Sequence, residues 1–120
     1  MSRKHLEHYE QAALIEWVGI TSNKEPRLKL LYAIPNAARR SPRQGAWMKA
    51  EGMKAGVPDL CLPVPEVGYM GLYIEMKMPG NTLTKEQQEF MALLNRYGHR
   101  VVTCHSSTEA IQVIKEYLGI

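Results

Sequence analysis

The chain has 120 residues, 45% of them hydrophobic, with a formal net charge of +3 and two cysteines. That length and composition suit one domain, residues 1–120, with its own core and no metal or disulfide staple. The N-terminal "MSRKHLEHYEQ" lacks the apolar segment of a secretory signal and no run is long enough to span a bilayer, so a soluble, cytoplasmic protein is expected.

Taken in order, residues from about Arg3 to Val18 read as a helix, and "RLKLLYAI" as a strand ended by Pro35-Asn36. A helix follows from about Arg43 to Ala55, interrupted in propensity by Gly45 and Gly52. "VPDLCLPV" and "MGLYIEMK" are short strands joined by a Pro- and Gly-containing turn, as in a hairpin. Thr84 opens a helix that runs to about Tyr97 and is closed by Gly98. "HRVVTCH" is a fourth strand. The last helix begins at Ser106 with Glu109 at the capping-box position, and Ala110, Ile111, Ile114, Tyr117 and Leu118 form its buried stripe. The alternation predicts an α/β fold with a mixed sheet flanked by helices.

Polar residues in apolar settings point to the chemistry. On an extended strand Leu72, Ile74 and Met76 face one way, and Tyr73, Glu75 and Lys77 the other. If the two central strands pair, Asp59 comes close to Glu75. Neighbouring carboxylates repel unless a cation lies between them, and hard oxygen ligands of this kind suit Mg²⁺ or Mn²⁺. An adjacent lysine positions an attacking water and offsets charge at a phosphoryl group, so the set suits phosphodiester hydrolysis. The plain alternative is an exposed Glu75–Lys77 ion pair, worth little.

Glu10 has Leu6 and Leu14 four residues to either side, with Ala13 and Trp17 at three and seven, which puts its carboxylate on an apolar stripe. It needs a partner there, and a water on a metal held by Asp59 and Glu75 would be one; an arginine at the edge of the core would be another. Gln87 lies on a similar stripe. Two explanations stand for it: a capping box with Thr84, or a place in the site.

The stretch "ARRSPRQGAWMKAEGMKAG" carries Arg39, Arg40, Arg43, Lys49 and Lys54 against the single acid Glu51. It is a candidate phosphate-contacting wall, or else a solvated helix face. Trp47 within it either stacks on nucleic acid or packs in the core, and core packing is the expectation, as it is for Tyr32 and Tyr97. The four histidines show no metal-ligand spacing and are expected at the surface. Cys61 and Cys104 sit in apolar runs as free thiols. No nucleophile elbow, Cys/His signature or glycine-rich phosphate loop is present.

"GVPDL" followed by "GLYIEMK", with "EHYEQAALIEW" and "YAIPNAARR" upstream and "LTKEQQEFMALLNRYGHRVVTCHSSTEAI" downstream, resembles a virus-type replication-repair nuclease (VRR-NUC) domain. This is a branch of the PD-(D/E)XK superfamily, with a restriction-endonuclease-like fold. The resemblance runs from about His5 to Leu118. It implies that Asp59, Glu75 and the Met76 carbonyl ligate Mg²⁺ or Mn²⁺, and that Glu10 acts through water or as a further ligand. Lys77 would serve the nucleophile, and Gln87 would support the site or contact DNA. It further implies a nuclease of replication and repair that acts on structured DNA such as four-way junctions or flaps and leaves a 5′-phosphate. Stand-alone domains of this size are typical of phages and bacteria, and a four-way junction suits a homodimer. The alternatives are a restriction-type nuclease that reads a base sequence and a non-catalytic nucleic-acid-binding module.

Overall fold

Local capping chemistry sets most of the element boundaries. The computed structural model describes residues 2–35 and 41–120. Ser2 caps α1 (Arg3–Thr21) by accepting a hydrogen bond from the His5 amide at 3.2 Å. Ser41 caps α2 (Pro42–Ala50) in the same way, with Pro42 at the first helical turn, where its missing N–H costs nothing. α2 stops short of Ala55 because Gly52 takes φ +104°, a left-handed conformation that ends a helix.

The first half of the segment expected as a strand from Arg27 to Ile34 is helical instead. Residues Pro26–Leu30 form a 3-10 helix, and only β1 (Tyr32–Ala33) joins the sheet. Pro26 fixes a helical φ, and the Glu25 side chain accepts from the Arg27 amide and guanidinium, so the backbone curls where hydrophobicity alone reads as extended.

β2 (Leu60–Leu62), β3 (Leu72–Met76) and β4 (Arg100–Cys104) complete a sheet in the order β1-β2-β3-β4. β1/β2 and β2/β3 are antiparallel, and β3/β4 is parallel, as the crossover through α3 (Lys85–Arg96) requires. α4 (Ser107–Leu118) is capped by the Ser106 hydroxyl, but the Glu109 carboxylate reaches the amide of His105 and not that of Ser106.

The register sorts the side chains onto two faces. Leu60, Leu62, Leu72, Ile74, Met76, Val102 and Cys104 share the face covered by α1 and α4, where Leu14, Val18, Ala110, Ile114, Tyr117 and Leu118 close the core. Tyr32, Cys61, Tyr73, Glu75, Val101 and Thr103 share the other. α3 contributes nothing to that apolar cluster and packs instead against β4.

Candidate active site

The β2/β3 hairpin builds the centre of the site. Leu60 lies opposite Ile74, so the next pair outward places Asp59 opposite Glu75. Both acids are buried, Asp59 at 6% exposure and Glu75 at 1%. Asp59 is held at two points: its carbonyl accepts from the Ile34 amide, and its Oδ2 accepts from the Met76 amide, each at 2.8 Å. An acid that takes a hydrogen bond from the neighbouring strand is fixed in rotamer as well as in position.

The loop before Asp59 is seated by a glycine. A Cβ at Gly56 would lie 2.5 Å from the backbone carbon and oxygen of Glu86 and 2.9 Å from the Gln87 amide nitrogen, and its φ is +86°. Only glycine permits that approach. The first turn of α3 is thereby pressed against the chain three residues ahead of Asp59.

Gln87, itself buried, completes a capping box at this same turn. Its amide donates to Thr84 Oγ1 at 3.1 Å, and its Oε1 accepts from the Thr84 amide at 2.9 Å. The capping explanation is thus realised, and Gln87 also lies in the turn that abuts the Asp59 loop.

Lys77 is half-buried and follows Glu75 by two residues. Its amide donates to the Cys104 carbonyl at 2.9 Å, toward β4. Because the peptide is planar and trans, the Met76 carbonyl points the opposite way, toward the edge where Asp59 lies. Two buried carboxylates and a carbonyl on one edge form a donor set of hard oxygens, and Mg²⁺ typically uses one or two protein carboxylates and keeps its remaining positions for water and phosphate. The residues present fit such an ion.

Glu10 is half-buried on α1. Leu6 and Ala13 are exposed while Leu14 is fully buried, so the apolar stripe of α1 begins below Glu10. Its Oε1 accepts from the Ser107 amide at 3.1 Å, in the first turn of α4, where a helix N-terminus favours a negative charge. Among the described residues no group of three His, Cys, Asp or Glu side chains that could hold a metal ion is formed, but Ser107 lies just past Cys104, the β4 partner of Met76, so Glu10 is tied to the end of the sheet where β3 also ends.

Of the basic residues, Arg43, Lys49 and Lys54 are exposed, and Arg39 and Arg40 lie outside the described residues. Arg43 and Lys49 are six positions apart on α2 and so project on different sides of it. Tyr32 and Tyr97, expected in the core, are 51% and 66% exposed, and Trp47 is 75% exposed.

Tyr73 shares the Glu75 face of β3, as the strand alternation predicts. It stacks edge-on against His99, which is half-buried and not at the surface, and burial, followed by the nearby Cys61, pushes its phenol up to about 12. Cys61 and Cys104 are buried free thiols, as expected.

The family model of the VRR-NUC domain matches residues 2–108. The chain belongs to the VRR-NUC family. A solved structure described as a VRR_NUC domain protein is 27% identical, with a TM-score of 0.77 over 94% of this chain and 88% of that one. No protein of curated function matches. A VRR-NUC domain is a nuclease of the PD-(D/E)XK type, a class that generally uses divalent metals, and a nuclease domain implies a DNA substrate. Among the described residues no helix is long and apolar enough to cross a membrane.

Proposed function

We propose that this VRR-NUC chain is a metal-dependent, structure-selective DNA endonuclease, resembling Holliday-junction resolvases, that hydrolyses phosphodiester bonds in replication and repair intermediates. The observation that carries the reading is the pairing of Asp59 with Glu75 on adjacent strands, with Lys77 two residues beyond. Asp59, Glu75 and the Met76 carbonyl would hold Mg²⁺ or Mn²⁺. When bound, such an ion neutralises phosphoryl oxygens and acidifies its water. The Lys77 ammonium orients the attacking water and offsets charge as it builds on the phosphate.

Glu10, anchored at the first turn of α4, acts through water or as a further ligand, and Gln87 supports the loop that carries Asp59. Arg43, Lys49 and Lys54 supply phosphate contacts, and Arg39 and Arg40 extend the same basic segment in sequence. A homodimer would present two identical sites to the two symmetric strands of a four-way junction.

The test is cleavage of an end-labelled four-way junction, a flap and a linear duplex in Mg²⁺, Mn²⁺ or EDTA, by the wild-type protein and Asp59→Asn. Metal-dependent cutting of branched DNA that is lost in the variant supports the reading. Binding without cutting in every metal condition favours a non-catalytic nucleic-acid-binding module, and cutting confined to one base sequence favours a restriction-type enzyme.

A further inference from the structure

Trp47 occupies the outward face of α2. Gly45 is the buried residue of this helix, and Trp47, two positions on, lies about 160° away around the axis, nearly opposite the side that meets the protein. Its 75% exposure follows from that geometry. Arg43 lies one turn earlier on the same face, close enough to sit beside the indole. Among the described residues, Arg43, Gln44, Trp47 and Met48 line an open cleft of about 550 Å³.

A tryptophan left in water forgoes the largest apolar contribution a side chain offers, and a ligand that covers it recovers that contribution. Residues 42–55 carry Arg43, Lys49 and Lys54 against one acid, Glu51. A second copy of the chain docked here by a two-fold axis would set this basic patch against itself. A polyanion with flat aromatic faces suits it better.

We propose that Trp47 stacks on an unpaired or branch-point base of the DNA substrate, while Arg43 beside it contacts the adjoining phosphate. This rests on the nuclease reading above and adds a residue that recognises DNA structure. In continuous duplex both faces of every base are covered by neighbours. An indole finds a free face only at a flap, a junction or a single strand, so the contact discriminates branched from unbranched DNA without reading sequence.

The experiment measures tryptophan emission and fluorescence anisotropy in EDTA, so that no strand is cut. Wild type and Trp47→Ala are titrated with a flap DNA and with a closed circular duplex that has no ends. The difference in emission between the two proteins is the signal of Trp47 itself, because Trp17 is common to both.

The expected result is quenching of that difference signal by the flap and not by the circle. Trp47→Ala should weaken flap binding about tenfold with circle binding unchanged, and Trp47→Phe should recover most of the loss. Flap binding that proceeds with no quenching and no loss in Trp47→Ala would overturn the stacking role and leave the nuclease reading standing. Conversion of a dimer to a monomer by Trp47→Ala in sedimentation, at unchanged DNA affinity, would overturn it in favour of a protein interface. Absence of binding to either DNA by any of the proteins would remove the nuclease reading and this inference together.

Discussion

The Met76 amide donates to Asp59 Oδ2 at 2.8 Å, so the acid at the mouth of β2 is held by the strand that carries Glu75 and leads into Lys77. Charge and geometry at this position are therefore separable by mutation. Asp59→Asn keeps an oxygen for the Met76 amide and removes the charge. It should melt within about 1 kcal/mol of wild type and lose cleavage by at least about a hundredfold. Asp59→Ala strands a buried N–H and should cost about 1–3 kcal/mol as well. Urea unfolding alongside single-turnover cleavage separates the two effects, and equal cleavage by Asp59→Asn and wild type would remove Asp59 from the chemistry.

Gly56→Ala places a methyl group 2.5 Å from the α3 backbone at a positive φ. Neither fault can be relieved by rotating a side chain. The variant is expected to lose about 2 kcal/mol or more in urea unfolding. Any protein that does fold should cut more slowly, since the loop that bears Asp59 must move. Stability equal to wild type would show that the loop and α3 are not in rigid contact.

Reversal of Arg43, Lys49 or Lys54 to glutamate should weaken DNA binding and leave the melting temperature nearly unchanged, since all three are exposed. For each cation that meets a phosphate, the slope of log affinity against log salt should become less negative by about 0.9. Titrations at several salt concentrations read this directly, and an unchanged slope takes that residue out of the interface.

Burial raises the Cys104 thiol from 9.0 to about 12, with the Glu109 charge adding to it. Burial likewise raises the Tyr73 phenol from 10.0 to about 12. Both groups are neutral when protonated, and the folded state holds those protons more tightly than the unfolded one. Their contribution is complete below pH 9 and is lost as pH rises from 9 toward 12. Urea midpoints should therefore fall across that range, and Cys104→Ala should flatten part of the fall. A midpoint independent of pH up to 11 would contradict the burial of both groups.

The site was legible where a short period governs it. The two-residue alternation of β3 and the hairpin turn before it place Glu75 beside Asp59 with no tertiary knowledge, and Thr84 with Gln87 announces its own capping box. The rest depended on what covers what. Glu10 lies on a stripe whose Leu14 half is buried and whose Leu6 half is exposed, and nothing local to α1 tells where α4 begins. Trp47, Tyr32 and Tyr97 were expected inside, yet Trp47 stands opposite the buried Gly45 on α2, Tyr32 is on the edge strand and Tyr97 caps the end of α3, and all three are exposed. Pro26 and Glu25 turned an apparent strand into a 3-10 helix, a local competition between capping and pattern in which capping prevailed. Gly56 could have been flagged only as a glycine before Val-Pro-Asp, because its need comes from a backbone thirty positions away.

That last contact has a bearing on synthesis. Both acids and Lys77 are present once the first 77 residues of the 120 have been made, but the α3 turn that seats Gly56 and the β4 strand that receives the Lys77 amide come later in the chain. A nascent or truncated polypeptide ending near Lys77 would hold every one of these side chains and no scaffold to align them. Competence to cut would then wait until α3 and β4 have been made and have folded onto the hairpin.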